Sequence, residues 1–252
     1  MKRIMLFLAG LFLNIGLYAA AEGDPYVPWY EKTEDYFRSP ADDHAQLKVE
    51  QAAHSQIELW KMMEYGNPSP EGIRKLVRQG ASLSFVHPFN GTILHHAIKY
   101  GQMEVVRLLI QLGAPVEARH IETGITPLFW AAIGGFPKIT QILVDEGHAN
   151  IEAKNSQGQT PLHGAARFLC KDVVAFLLSR GAQPDVVDAQ GKTPFDLAAV
   201  APGYNGDKRQ VRTEIMEMLL GRELKPDEYP KAAAVADYDG LRRYQEAQNF
   251  WE

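Results

Sequence analysis

The chain has 252 residues, of which 46% are hydrophobic and 23% charged, which is an ordinary balance for a globular chain with enough apolar material for a core. The formal net charge of −5 argues against a general phosphate-binding surface, and therefore against nucleic acid as a partner. One cysteine, Cys170, excludes an intramolecular disulfide, so the fold depends on packing alone. We expect this cysteine to be a small core residue; the alternative is that it pairs between molecules or is oxidised.

The first 21 residues have the three parts of a secretory signal peptide. Lys2 and Arg3 precede an apolar run over residues 4–18, and Ala19–Ala21 follows it as a cleavage site. The run is shorter than the roughly 20 apolar residues that a membrane-spanning helix needs. We predict cleavage after Ala21 and export to the periplasm, without membrane insertion of the mature chain. An uncleaved signal anchor and secretion beyond the cell are the alternatives.

Residues 22–54 form an acidic, aromatic flank, with a helix predicted from about Ala41 because Ser39 and Pro40 resemble a helix start. A second flank, residues 222–252, places Leu241, Tyr244, Ala247 and Trp251 on one helical face. We expect both flanks to cover the ends of the domain between them. The alternative is that one of them docks onto a partner.

Similar blocks recur between the flanks. Thr92, Thr126, Thr160 and Thr193 begin them, 34, 34 and 33 residues apart, and each is followed five residues later by alanine. A second apolar stretch and a glycine then follow in three of the blocks. A threonine hydroxyl can cap a helix, and proline is tolerated in a first helical turn. The later glycine is expected to end the second helix in a left-handed conformation. One such unit cannot bury its own apolar face, so the units must stack.

These blocks resemble the ankyrin repeat. The resemblance implies an all-α solenoid of about five helix-turn-helix units joined by short hairpins, spanning 55–221 and divided at 55–86, 87–120, 121–154, 155–187 and 188–221. The first unit lacks the threonine-proline start, and the last has a longer turn between its helices. The resemblance also assigns structural roles, including hydrogen bonds from two histidines to neighbouring repeats, to Thr92, His95, Thr126, Pro127, Thr160, Pro161, His163, Thr193 and Pro194.

In ankyrin proteins the hairpin tips and the exposed face of the first helix contact the partner. The candidate binding residues at those positions are Phe89, Lys99, Tyr100, Arg119, Glu122, Ile133, Arg167 and Phe168. Aromatic residues beside arginine are typical of interface hot spots, although some of them could pack sideways against neighbouring repeats. Trp130 lies at a position that is usually core. Three cations against one acid predict a partner with an acidic patch.

No pattern in the sequence indicates catalysis. It has neither a nucleophile elbow nor a phosphate-binding loop, and its histidines have no metal-ligand spacing. We therefore predict no catalytic residue, no metal and no cofactor. The predicted function is a periplasmic module that binds and neutralises or holds one partner protein, as an immunity protein does. An accessory factor for an envelope or peroxide-detoxifying enzyme, and a secreted effector acting on host proteins, are the alternatives. The oligomeric state is left open.

Overall fold

The computed structural model of the chain describes residues 43–65, 68–87, 90–201 and 208–225. It confirms the predicted all-α class: paired helices follow one another, and one two-stranded ladder occurs among these residues, with Val86 opposite Thr92. The predicted signal peptide and most of both flanks lie outside the described residues. The helices and strands are α1 Asp43–Tyr65, α2 Pro70–Arg78, β1 Val86–His87, β2 Gly91–Thr92, α3 Ile93–Lys99, α4 Met103–Gln111, α5 Pro127–Ile133, α6 Pro137–Gln141, a π-helix Ile142–Glu146, α7 Pro161–Arg167, α8 Lys171–Ser179, α9 Pro194–Ala199 and α10 Lys208–Leu220.

The chain divides into two compact units. Among the described residues, the N-terminal unit comprises those up to Trp130 together with Lys138–Asn150. The C-terminal unit comprises Ala131–Pro137 and the residues from Ile151 onward.

In the N-terminal unit, α1 is a long helix that runs without a break through the predicted boundary between residues 54 and 55. It buries Leu59, Trp60 and Met63. The next helix, α2, begins where the Ser69 hydroxyl accepts the backbone N–H of Gly72, and it is followed by a glycine with φ of 106°. Together α1 and α2 supply the two helices that the sequence predicts for the first repeat.

Threonine caps the first helix of each later repeat. Thr92, Thr160 and Thr193 form reciprocal capping boxes, in which the side chain three residues on accepts the threonine's own N–H. That side chain is a histidine in the first two cases and Asp196 in the third. In α5, the Thr126 hydroxyl accepts the N–H of Phe129 at 3.3 Å.

One helix end departs from the expected left-handed glycine. Gly113 and Gly181 have φ of 83° and 86°, but Gly147 has φ of −89° and His148 takes the left-handed position with φ of 54°. The expectation is therefore wrong for Gly147. The reason is that His148 is an extra residue between the glycine and the alanine, which are adjacent in the repeats that contain Gly113 and Gly181. The helix accommodates it as a π-helix, in which the Gly147 N–H donates to the Ile142 carbonyl.

The C-terminal unit has a continuous apolar core. Small residues let its helices approach closely: Ala165, Ala166 and Ala198 are fully buried. Larger side chains from α7, α8 and α10 fill the space between them, including Leu162, Val174, Leu177, Ile215 and Met216. At the edge of this unit, Lys171 Nζ lies 2.6 Å from Glu214 Oε2, which links α8 to α10.

Candidate protein-interaction surface

Tyr100 is an exposed aromatic residue at the end of a buried helix. It caps the C-terminus of α3 and exposes 55% of its surface, whereas Ile93–Ile98 is buried throughout. Large apolar rings left in solvent on an ordered element are typical of residues that a binding partner covers. The structure therefore places this sequence candidate where a partner could reach it.

The ring of Tyr100 packs against one buried ring, which in turn packs against a second. His96 lies one helical turn earlier, with its ring centroid 4.8 Å from that of Tyr100. Trp60 of α1 meets His96 edge-on at 5.5 Å and 87°. Trp60 and His96 are only 2% and 3% exposed. We call Trp60, His96 and Tyr100 the aromatic row, and its buried members limit the positions that the exposed ring can take.

Lys99 lies beside the aromatic row. Its Nζ is 5.5 Å from the centroid of the Tyr100 ring, within the range of a cation–π interaction. Burial lowers the pKa of Lys99, and the nearby Glu64 carboxylate opposes that shift. Burial likewise raises the pKa of Glu64, which Lys99 opposes. The surface beside Tyr100 thus carries an acid as well as the predicted cation.

Glu64 was missed by the sequence reasoning, although a signal for it exists. Residues 59–66 align with residues 94–101, and this alignment puts Glu64 in the first repeat at the position that Lys99 occupies in the second. Extending the list of candidate positions to the degenerate first repeat would have found it.

His96 remains uncharged in the aromatic row. Burial, followed by the charges of Lys99 and His87, lowers its pKa to about 4. Its Nδ1 atom and the Nε1 atom of Trp60 have no hydrogen-bond partner within the described residues. Buried polar atoms without partners are costly and unusual in folded proteins, so this pair is a weak point in the packing under Tyr100.

The hairpin before α5 carries two sequence candidates, Arg119 and Glu122, and both are exposed. The Arg119 guanidinium donates to the Gly124 carbonyl at 3.2 Å, which holds the side chain against its own hairpin. Between them Ile121 is 60% exposed, and the sequence reasoning missed it. The backbone hydrogen bond from His120 N to Ile125 O closes this hairpin, which is one residue longer than the later hairpin at 155–159. The sequence signal for this extra residue is the spacing of 34 residues between Thr92 and Thr126.

The candidates in the C-terminal unit are less exposed. Ile133, Arg167 and Phe168 are all half-buried. Phe168 caps α7 as Tyr100 caps α3. The Cys170 thiol lies 3.7 Å from the Phe168 carbonyl oxygen and 3.9 Å from that of Ile133. Cys170 packs against the core of this unit but is itself only half-buried, short of the core position expected from the sequence.

Two aromatic residues of the sequence analysis remain. Phe89 lies outside the described residues. Trp130 is half-buried, where its position in the repeat predicted a core residue, and it stacks on the ring of His120 at 6.4 Å and 21°. The imidazole therefore shields one face of the indole.

A charged groove on the second helices was not anticipated. Arg107 Nε of α4 donates to both carboxylate oxygens of Glu146 in the π-helix, at 3.1 and 3.2 Å. An open groove of about 330 Å³ lies beside this pair, lined also by Met103, Lys138 and Gln141. The lining carries two cations, Arg107 and Lys138, and two acids, Asp145 and Glu146, so the groove offers little net charge to a ligand.

Within residues 43–65, 68–87, 90–201 and 208–225, no three histidine, cysteine or acidic side chains are grouped so as to bind a metal ion. Nor does that part of the chain contain a helix both long and apolar enough to cross a membrane.

Threonine-capped helix pairs, two of which are tied to the next hairpin by the buried side chains of His95 and His163, define a protein built from helix-turn-helix repeats. The family model for ankyrin repeats in three copies matches residues 59–155 and 111–188, which together make up just over half of the chain. The chain therefore belongs to the ankyrin-repeat family. Ankyrin repeats generally mediate protein–protein interactions and are typically non-catalytic.

The chain is similar to curated proteins with varied roles. The human SH3 and multiple ankyrin repeat domains protein 2 is 32% identical over 140 residues, 55% of this chain and 7% of that protein. The mouse protein phosphatase 1 regulatory subunit 27 is 37% identical over 92 residues, 36% of this chain and 58% of that protein. The human neurogenic locus notch homolog protein 2 is 33% identical over 128 residues, 50% of this chain and 5% of that protein. The chain thus spans less than two thirds of each relative.

Proposed function

We propose that this chain is a periplasmic binding module that holds or neutralises one specific protein, in the manner of an immunity protein. The observation that carries the proposal is Tyr100, an exposed ring fixed against buried His96 and flanked by Lys99. A few rigid aromatic and cationic residues supply most of the energy of a typical interface. Because its ring is already held in place, Tyr100 would lose little conformational freedom on binding.

The charges favour a partner with an acidic patch. In the N-terminal unit, Lys99 and Arg119 are cations at predicted contact positions, and in the C-terminal unit Arg167 is another. Complementary charge speeds encounter and rejects unsuitable partners. Glu64 and Glu122 restrict where the acidic patch of the partner can lie, because acids placed opposite either of them would be repelled.

We infer that the chain acts by binding and not by catalysis. One relative of which 58% is covered is named as a regulatory subunit of a phosphatase, a protein whose name describes action through another protein. This agrees with a module whose surface, rather than a reaction, carries the function.

Export is tested by fractionating cells that produce the full chain and sequencing the N-terminus of the product. We expect a chain that begins at Glu22 in the periplasmic fraction. Recovery of an uncleaved chain from the membrane fraction would contradict the signal-peptide prediction and support the signal anchor.

Binding is tested by capture from periplasmic extract on the immobilised mature chain, with the bound protein identified by mass spectrometry. We expect one partner in a fixed ratio, retained by the control Lys138→Glu, which reverses an exposed charge on α6 outside the predicted contacts. Tyr100→Ala and Arg167→Glu should each lose it while keeping the wild-type circular dichroism. Equal capture by all variants, or none by the wild type, would refute the proposal. The identity of the partner separates a toxin from a detoxifying enzyme or a host protein.

A further inference from the structure

His96 is a buried imidazole in the middle of the aromatic row. It contacts Trp60 on one side and Tyr100 on the other, at 5.5 and 4.8 Å between ring centroids. Its Nδ1 atom has no hydrogen-bond partner in the part of the chain that the structure describes. A neutral ring can stay there because its contacts are mainly with other rings, but an imidazolium needs water or an acceptor for its charge.

The ionisable groups around His96 oppose a positive charge on it. Lys99 stands on the same helix and His87 on β1, and each of them disfavours protonation of His96. His120 in turn acts on His87. The acid on this side of the unit is Glu64 of α1, which faces Lys99. Among the described residues, a proton on His96 would therefore add a positive charge beside the Lys99 ammonium and the His87 imidazole, while the Glu64 carboxylate faces Lys99.

We propose that His96 is a proton-controlled catch for Tyr100: the aromatic row stays together at neutral pH and comes apart when His96 takes up a proton. The charged ring moves towards solvent, the contact with Trp60 is lost, and Tyr100 no longer has a fixed support. This inference rests on the proposed function, because a loosened Tyr100 affects binding only if Tyr100 is an anchor.

The pH range follows from the chemistry of the site. Burial, Lys99 and His87 lower the pKa of His96 from 6.5 to about 4. The unprotonated, closed row is therefore favoured above pH 6.5, and that preference is lost as the pH falls towards 4. In the fully acid range the row is open.

Other repeats of the same chain show that the titrating ring is not needed for packing. The position of His96, four residues after the capping threonine, is taken by Trp130, Gly164 and Leu197 in the later repeats. Leu197 is buried, 6% exposed. His96→Leu therefore places in the second repeat a side chain that the fifth repeat already buries at this point, and it removes the proton site.

The test uses the full mature chain with Trp29, Trp130 and Trp251 changed to Phe, so that Trp60 alone reports tryptophan fluorescence. Between pH 7 and 4 we expect the Trp60 emission to shift to longer wavelength as the row opens. His96→Leu should abolish that step, or move it by at least one pH unit. The control His148→Asn, at an exposed histidine with φ of 54°, should leave it unchanged. An identical step with His96→Leu would overturn the proposal.

A second measurement covers the case in which His96→Leu does not fold at pH 7. Ring-proton NMR of the unmodified chain then follows His96 directly. Titration of His96 together with shifts of the Trp60 and Tyr100 ring signals supports the catch. Titration of His96 near its ordinary pKa of 6.5, without those shifts, overturns it.

Partner binding separates the two proposals. With the captured partner, the wild type should bind at least tenfold more weakly at pH 4.5 than at pH 7, and His96→Leu should keep most of its affinity. Equal losses by both chains would overturn the catch as a regulator of binding. If no partner is captured at pH 7, the proposed function fails, while the Trp60 measurement still decides whether His96 controls the row.

Discussion

The Nε2 atom of His95 lies 3.1 Å from the carbonyl oxygen of Ile125, and this hydrogen bond joins α3 to the hairpin of the next repeat. On the other side of the ring, Nδ1 accepts the backbone N–H of Thr92 at 3.2 Å. These two contacts assign the neutral tautomer with its proton on Nε2. One side chain thus caps its own helix and holds the following hairpin, which explains why histidine follows threonine by three residues.

The same arrangement at His163 leads to a first prediction. This ring accepts the N–H of Thr160 and contacts the Lys192 carbonyl at 3.1 Å, and it is fully buried. His163→Phe, which imitates Phe129 at this position, keeps the bulk but leaves those backbone groups unpaired. We expect it to lower the free energy of unfolding by about 1–3 kcal/mol. His163→Ala adds a cavity and should cost about 3–5 kcal/mol. Urea titration measures both, and equal costs for Phe and Ala would contradict the hydrogen-bond role.

Acid should destabilise the N-terminal unit through His95. Burial lowers the pKa of His95 to about 4 although the hydrogen bond to Ile125 acts in the opposite direction. Because the folded pKa lies below the unfolded value of 6.5, the stability from this group is complete above pH 6.5 and lost as the pH falls towards 4. One such imidazole contributes at most about 3 kcal/mol.

The check compares urea unfolding at pH 7.5 and pH 4.5. His95→Phe should be less stable than the wild type at pH 7.5 but should lose less stability on going to pH 4.5. If the wild type and His95→Phe lost the same amount of free energy, His95 would not be a source of the acid sensitivity.

Much of the fold could be predicted because each repeat uses local rules. The threonine caps and most of the glycine helix ends depend on residues within a few positions of each other, and the 33-residue to 34-residue period exposes them. Two of the three spacings are 34 residues and the third is 33, but the spacing does not show where in each longer repeat the additional residue lies. One widens the hairpin and exposes Ile121, and the other, His148, is taken up by a π-helix. Helix and hairpin can each absorb a residue, so only the structure locates it.

The candidate surface was predicted less completely. The sequence analysis named Tyr100 as one of its eight candidate contact residues, and 55% of its surface is exposed. Trp60, which packs against the His96 ring beneath Tyr100, and the neighbouring Glu64 both come from the first repeat. That repeat diverges too far from the pattern for side-chain positions to be transferred. Phe168, at the equivalent position in the C-terminal unit, is half-buried and therefore less exposed than Tyr100. The difference arises because the residues that cover a ring at this position vary from repeat to repeat.

The extra residue in the third repeat gives a third prediction. His148 is exposed and has φ of 54°, a conformation that glycine adopts freely and β-branched residues avoid. His148→Val should lower the free energy of unfolding by about 1–2 kcal/mol. His148→Gly should be neutral or slightly stabilising, since the backbone conformation is retained without strain. Thermal unfolding of the two variants beside the wild type measures this, and a Val variant as stable as the Gly variant would contradict the left-handed assignment.

The last prediction separates backbone strain from crowding with two glycines. Gly135 and Gly113 both have positive φ, 66° and 83°, so alanine at either site should cost about 1–2 kcal/mol from conformation alone. A Cβ at Gly135 would also lie 3.2 Å from the Cys170 Sγ, whereas one at Gly113 meets nothing within 4 Å. Gly135→Ala should therefore cost more than Gly113→Ala. In a Cys170→Ala background the nearest remaining atom is Cβ, 3.9 Å away, so the excess should disappear while the conformational cost stays. Urea unfolding of the wild type, the three single variants and the Gly135→Ala/Cys170→Ala double variant measures these costs. An excess that survives the removal of Cys170 would show that the sulfur is not its cause.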